Sequence, residues 1–293
     1  MRNLDRQAWA ASDCFESFGT RFGIRANCAD VWPEIISLLP PGTTAARSLL
    51  VDRVYSLRVG GASRCGVSRF HLLFAGTTLL ARSPDIVIAL QALQDDLHAF
   101  VAEGSPLMTF VHAGAVGWHA RAIVMPGHSF SGKSMLVAAF LRAGAIYYSD
   151  EYAVFDRAGR VHPFARPLRL RDSLDQSTGR ANQFGAASGS KPLLTDTLVI
   201  ASYRSGACWH PVELSAAQGV LELLAHAPAA RHRPEQTLRT LARAVRRARI
   251  FKGTRGESAE VIEYLQKHSG RAGTLDREDH YGYHCEPAFA TKA

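Results

Sequence analysis

Alternating apolar and polar positions dominate the first third of the chain. In residues 50–59 and again in 70–80 apolar side chains recur at every second position, with Gly60-Gly61 between. A period of two belongs to strands with one buried face, here expected as an antiparallel unit. Residues 1–45 are harder to read: 15–22 is mixed, and 31–39 looks like a short helix with Pro33 near its start, ended by Pro40-Pro41-Gly42. The period then changes. Ser83-Pro84-Asp85 is expected to open a helix, with Ser83 as cap and Pro84 at the first position. Leu90, Leu93, Leu97, Phe100 and Val101 would share one face of it. Nothing before Ala102 has the look of a catalytic constellation.

Past residue 105 short apolar runs alternate with helical patterns, which places the chain in the α/β class. Residues 109–116 read as a strand and 117–120 as a turn, and 121–125 is a buried strand closed by Pro126-Gly127. Residues 135–142 are good helix formers and end at Ala143-Gly144, where glycine suits a C-terminal cap. A β-prone run follows at 145–149. Residues 154–161 read as a hairpin turning at Ala158-Gly159, and 163–171 as an extended edge that its prolines keep from helix. Residues 175–191 are polar and small, the expected mobile loop over a site. A strand at 198–203 precedes a helix capped by Ser215, with Leu221, Leu224 and Ala225 expected inward. A helix over 234–248, a strand over 249–254 and a helix over 258–268 complete the order, and the polar tail from Gly270 is expected to be loosely ordered.

Between the strand at 121–125 and the helix at 135–142 lies Gly127-His128-Ser129-Phe130-Ser131-Gly132-Lys133-Ser134, which fits G-x-x-x-x-G-K-[ST]. Strand, loop and helix stand in the order a phosphate-cradling loop requires. Backbone N–H groups of such a loop, with the positive end of the new helix, collect a polyphosphate. Lys133 would reach its outer phosphates and the Ser134 hydroxyl would take a place on Mg²⁺. One helix and one strand later come Asp150 and Glu151, at the strand end where open α/β sheets hold ligands. One carboxylate there could hold Mg²⁺, so Ser134, Asp150 and Glu151 form the candidate metal set. The other could take a proton from an attacking hydroxyl. Arg166, Arg169 and Arg171 alternate onto one face of an extended segment. Arg166, nearest the acidic pair, is the candidate for contact with phosphate or substrate.

This succession resembles the catalytic domain of HPr kinase/phosphorylase and its bacterial relatives. That family has a strand bearing His-Gly, a second strand, the loop, a helix ending near glycine and a strand ending in two acids. Here His112-Ala113-Gly114, residues 121–125, the loop, Gly144 and Asp150-Glu151 stand in that order. The resemblance implies a P-loop kinase domain of the HPr kinase type over 106–293. The strands and helix before it form a smaller α+β region over 1–105 without a catalytic constellation, expected to help recognise substrate or to complete the core. It implies an ATP-dependent kinase acting on a serine hydroxyl of a peptide or protein, with Asp150 as base and His112 near it. Phe130 stands where the family usually has Gly, Met135 where it often has Glu, and Glu151 where it has Asp. The downstream segment that the HPr enzymes use for dephosphorylation has no clear counterpart, so neither phosphorylase activity nor HPr itself as substrate is carried over. A small-molecule hydroxyl kinase would use the same parts. A nucleotide-binding switch or ATPase is the alternative of another class, but the short interval from Lys133 to Asp150 argues against it.

Composition adds limits. An apolar content of 47% with 20% charged residues is ordinary for a globular chain of 293 residues. The net charge of +8 admits nucleic acid or an acidic partner. The arginines of 166–171 and 239–255, however, have no interleaved aromatics and no nucleic-acid motif, so nucleic acid is not expected; the row at 166–171 could meet an acidic substrate or be a solvated face, and the charge could be a basic surface alone. A homo-oligomer is compatible with this reading. No apolar run reaches the roughly 18 residues of a membrane span, and the first residues do not read as a secretory signal. Cys14, Cys28, Cys65, Cys208 and Cys285 are scattered without C-x-x-C spacing, which fits a reducing, cytoplasmic setting.

Overall fold

A hairpin forms near the start of the chain, where the sequence pattern had suggested no element. β1 (Ala11–Ser17) and β2 (Thr20–Ala26) pair antiparallel around Phe18-Gly19, whose φ angles of 49° and 81° are both left-handed. The computed structural model describes residues 8–61, 70–128, 131–166, 168–171, 176–179 and 186–268. Next come α1 (Trp32–Ser37), β3 (Thr44–Ala45), β4 (Arg53–Arg58), β5 (His71–Ala75) and β6 (Thr78–Ser83). The six strands form one sheet in the order β3-β1-β2-β4-β5-β6. Two expectations change here. Residues 70–80 are two strands around Gly76, whose φ is 57°, and β2 pairs with β4 in parallel, so the unit is mixed.

α2 (Ile86–Gly104) covers this sheet with Ala89, Leu93, Leu97, Val101 and Ala102 buried. Its cap is Asp85, whose carboxylate accepts from the Val87 N–H at 2.9 Å. Ser83, the expected cap, is the last residue of β6, paired with His71, so Pro84 precedes the cap instead of following it.

The second sheet holds the chemistry. β7 (Thr109–Trp118) turns at His119-Ala120 into β8 (Arg121–Pro126), and both turn residues have positive φ. α3 (Lys133–Arg142) starts at the loop's lysine, two residues earlier than the helix-forming run suggested. β9 (Ile146–Ser149), β10 (Tyr152–Phe155) and β11 (Arg160–His162) follow, then the separate antiparallel pair β12 (Leu168–Arg171) and β13 (Gln176–Gly179). Thus part of the expected 175–191 loop is strand. β14 (Leu193–Tyr203), β15 (Val212–Glu213), α4 (Ala216–Leu224), α5 (Pro234–Val245), β16 (Arg249–Arg255) and α6 (Ser258–His268) complete the described chain. The tail from Gly270 lies outside it.

The strand order is β11-β10-β7-β8-β14-β16-β15, with β9 also on β7 and β11 also on β14. β8, β14 and β16 are parallel, and β9 runs the same way because both β8 and β9 are antiparallel to β7. Four strands therefore end at one edge of the sheet. On the β7 edge Ser149 of β9 stands in the register of β10: Ser149 faces Ala115 and Tyr152 faces His112, with Asp150 and Glu151 bending out between them, while an irregularity after Ala115 shifts Tyr147 and Ile146 by one. The molecule is mixed α/β, as expected of its class.

α3 buries Leu136, Val137, Ala138, Phe140 and Leu141 in a cluster that includes Val199, Phe251, Val261 and Leu265. α4 has its Ser215 cap with a capping box to Gln218, but it faces inward through Gly219, Val220 and Leu223. Leu221 is 64% exposed, contrary to expectation. A Cβ on Gly219 would stand 2.4 Å from the Ile250 Cδ1, so the glycine lets the helix approach the sheet on that face. A third cluster joins the two sheets: Phe22, Tyr55, Leu93 and Leu97 pack in one group with Phe110, Tyr152, Val154 and Phe164.

Candidate functional site

The edge where β8, β9, β14 and β16 end is where the expected site residues collect. Pro126 closes β8 opposite Ala113, and the Gly127 N–H donates to the His112 carbonyl at 3.3 Å. The chain then leaves the sheet. Gly132 has φ 83° and caps α3. Gly127, His128, Ser131, Gly132, Lys133 and Ser134 are described; Ser129 and Phe130, expected in the same cradle, lie outside the described residues. A Cβ on Gly132 would sit 2.6 Å from the Arg255 guanidinium, so glycine is required there by space as well as by backbone angle.

Lys133 curls back over its own loop. Its ammonium donates to the Gly127 carbonyl at 2.5 Å and to the His128 carbonyl at 2.6 Å. Burial pushes its pKa down to about 8, against the pull of Asp150. The Ser134 Oγ lies 3.5 Å from Asp150 Oδ2, which links the first turn of α3 to the end of β9. The Tyr147 hydroxyl is 2.9 Å from both Asp150 Oδ1 and the Arg166 carbonyl, so its one proton serves either acceptor. Burial first, then the neighbouring Asp150, raises the pKa of that phenol and keeps it a donor.

Glu151 is held twice. Its carbonyl accepts from the Ala113 N–H at 3.1 Å, and its Oε2 pairs with the Arg166 guanidinium. The Arg166 side chain is 9% exposed. The expected substrate arginine is thus brought to the acidic pair, where it orients Glu151. Arg169 and Arg171 belong to a stretch whose side chains are outside the described residues.

His112 stands between the loop and the acids, with Gly127 on one flank and Tyr152 on the other. Its ring packs 4.4 Å from the Tyr152 ring. The residue is exposed overall, yet the protein packed around it disfavours the charged form. Burial first, then Lys133, His226 and His128, pushes its pKa down to about 4. His226 shares the crevice: its carbonyl accepts from the His112 N–H at 2.8 Å, and its ring meets that of His128 at 4.4 Å. Burial first, then His128 and Lys133, lowers its pKa too. His119, in the β7–β8 turn, is at the far end of the sheet.

Three participants escaped sequence reading. Arg255 ends β16 and is 2% exposed. Its Nη2 donates to the Gly132 carbonyl at 2.8 Å and its Nη1 to the Gly256 carbonyl at 2.9 Å. Tyr147 and His226 are the others. None carries a motif. A buried arginine at a strand end beside a glycine-rich loop was the one available signal, and it needs the sheet order to be seen.

Among the described residues no group of three or more His, Cys, Asp and Glu could hold a metal. Ser134 and Asp150 offer two hard oxygens at the helix start. That set suits Mg²⁺, which keeps several waters and takes further oxygens from phosphate. Among the described residues no helix is long and apolar enough to cross a membrane. Comparison with models of known protein families and with curated proteins finds no match to this chain.

Proposed function

We propose that the protein is an ATP-dependent kinase with a P-loop domain of the HPr kinase type, transferring the γ-phosphoryl group to a hydroxyl, serine of a peptide or protein first among acceptors. The observation that carries this reading is the meeting of Ser134 with Asp150, which joins the G-x-x-x-x-G-K-S loop to an acidic pair in one crevice.

In this reading the loop amides and the N-terminus of α3 bind phosphate oxygens. Lys133 exchanges its two carbonyl partners for those oxygens. Ser134 with a carboxylate of the acidic pair would hold Mg²⁺, which neutralises charge on the phosphates when bound. Glu151, held by Arg166, supplies a second carboxylate beside it. The acceptor oxygen bonds to the γ-phosphorus as the bond to the β,γ-bridging oxygen breaks, and the acceptor proton passes to Asp150. His112 stays neutral at physiological pH and lines the acceptor side of the crevice.

The test is mass spectrometry of serine-containing peptides, acidic ones included, and of small hydroxyl compounds after incubation with ATP and Mg²⁺, with Lys133→Ala as control. A phosphorylated peptide made by the wild type alone supports the reading. ADP formed without any phosphorylated acceptor would replace it with the switch or ATPase alternative.

A further inference from the structure

The end of the second sheet opposite the loop holds a cavity of about 400 Å³ lined by Arg121, Arg243, Arg246 and Arg247, with Thr195 and Ala158. Arg121 starts β8, Thr195 lies in β14, and Ala158 belongs to the turn between β10 and β11. The other arginines come from the last turn of α5 and the residues that follow it. No carboxylate lines this cavity among the described residues.

Two features make it a built concavity. The hairpin turn is pressed against α5: Gly159 has φ 80°, and a Cβ there would stand 2.5 Å from the Ala244 backbone nitrogen. The Arg243 Nη1 also donates to the Arg157 carbonyl at 2.7 Å, tying helix to hairpin. The second feature is Thr195. It is 6% exposed, and its Oγ1 has no hydrogen-bond partner among the described residues although it lines the cavity. A buried hydroxyl without a partner is costly. Arginines at a helix C-terminus offset the partial negative charge of the helix dipole. That accounts for part of the cluster but not for Arg121 on the sheet, nor for the orphan hydroxyl.

We infer that this cavity is an anion site for a small phosphate-bearing molecule, separate from the Gly127 loop. Guanidinium forks match phosphate oxygens two at a time. Thr195 closes the wall of the cavity, its Oγ1 itself buried. A volume of about 400 Å³ is within the usual range of small-molecule pockets, roughly 300–1,000 Å³. The site sits at the start of β8, and the phosphate-binding candidate loop leaves its end, about 20 Å away at strand rise. A ligand of one cannot touch the other.

Pyrophosphate is the probe. Equilibrium dialysis of the full chain with labelled pyrophosphate gives affinity, and phenylglyoxal modification read by peptide mass spectrometry gives location. Bound pyrophosphate should protect Arg121, Arg246 and Arg247 while leaving the exposed Arg204 and Arg231 reactive. The double variant Arg121→Ala, Arg247→Ala should weaken the binding that this protection reports by about tenfold or more, since hydrogen bonds to charged groups are lost. Thermal melting of the variant checks the fold, which surface arginines without described carboxylate partners should leave intact. Absence of protection at these arginines overturns the inference, as does undiminished protection of Arg246 in the folded double variant. Poly-glutamate protecting the same arginines where pyrophosphate does not would replace it with an acidic protein partner. Because the footprint is read at the arginines, its failure says nothing of the Gly127 loop.

Discussion

Arg255 holds Gly132. The guanidinium, buried at the end of β16, donates to the carbonyl of the glycine that caps α3, and lies 5.5 Å from the Tyr203 ring at the end of β14. Burial lowers its pKa from the usual arginine value, but arginine stays charged at physiological pH. Two parallel strands thereby fix the exit of the loop.

Replacing Arg255 by Met should loosen that exit: the Gly132 carbonyl keeps the Leu136 N–H at 3.1 Å but loses its charged donor, a loss of about 1.5–3 kcal/mol for a hydrogen bond to a charged group. Calorimetric titration with ATP and Mg²⁺ should show affinity reduced by roughly tenfold. Arg255→Lys should not restore it, because an ammonium lacks the planar fork that serves both Gly132 and Gly256. Full affinity in the lysine variant would mean that only the charge matters.

Lys133→Ala should abolish phosphoryl transfer without lowering the melting temperature. In the described structure the ammonium bonds only carbonyls of its own loop, and its removal takes a half-buried charge out of the crevice. Circular dichroism and turnover measured together decide the matter. Undiminished turnover in the folded variant would end the kinase reading.

For Asp150→Asn, nucleotide binding should survive, while transfer should fall by about two orders of magnitude or more. The loop amides and Lys133 remain. The group that takes the acceptor proton, or holds Mg²⁺ with Ser134, is lost. A variant that binds ATP much more weakly yet turns over normally once saturated would assign Asp150 to binding alone.

The crevice histidines predict a pH dependence of stability. His112 and His226 both have pKa values below the ordinary 6.5, His112 near 4, so the folded state binds fewer protons than the unfolded state in that window. Stability is then fully present above pH 6.5 and is lost as pH falls toward 4. The groups that face them are Lys133, His128 and, near His226, Glu222. Water around the exposed His112 tempers its share. The double variant His112→Gln, His226→Gln should show a flatter fall in melting temperature between pH 6.5 and 4.5 than the wild type. Equal slopes would mean that both imidazoles are charged in the fold.

The first sheet and its helix also constrain what can be removed. Phe110, Tyr152 and Phe164 are buried in the same cluster as Phe22, Leu93 and Leu97, and each large apolar side chain contributes about 1.5–3 kcal/mol by burial. A chain beginning at Pro106 should therefore lose cooperative unfolding and bind hydrophobic dye. A sharp thermal transition in it would show that the second sheet stands alone. Only then could the role of residues 1–105 in substrate recognition be read from a truncation; surface substitutions along β3 or β6, the sheet edges, test it otherwise.

What was legible in the sequence follows the range of the interactions. The β8, loop and α3 succession, the Ala158-Gly159 turn and the Ser215 cap are local, set by residues within a few positions of each other. The β1–β2 hairpin was hidden because its turn uses Phe18, an aromatic residue in a left-handed conformation. The parallel pairing of β2 with β4 joins segments with a helix and another strand between them, and no local period reports it. Leu221 misled because helix period gives a stripe but not which side meets the sheet, and Gly219 decided that through Ile250. Within the site, Asp150, Glu151 and Lys133 come from one contiguous stretch, whereas Arg255 arrives more than a hundred positions later.

The register that Ser149 shares with β10 along β7 has a consequence for length. Ser149 faces Ala115 and Tyr152 faces His112, so the two acids occupy the only two places between fixed pairs. Substitution at Asp150 or Glu151 alters chemistry and leaves the ladder standing. Losing or gaining one residue there would turn every following side chain of β10 to the opposite face, taking Tyr152 and Val154 out of the joint cluster. Relatives of this chain should thus keep the count from 149 to 155 unchanged.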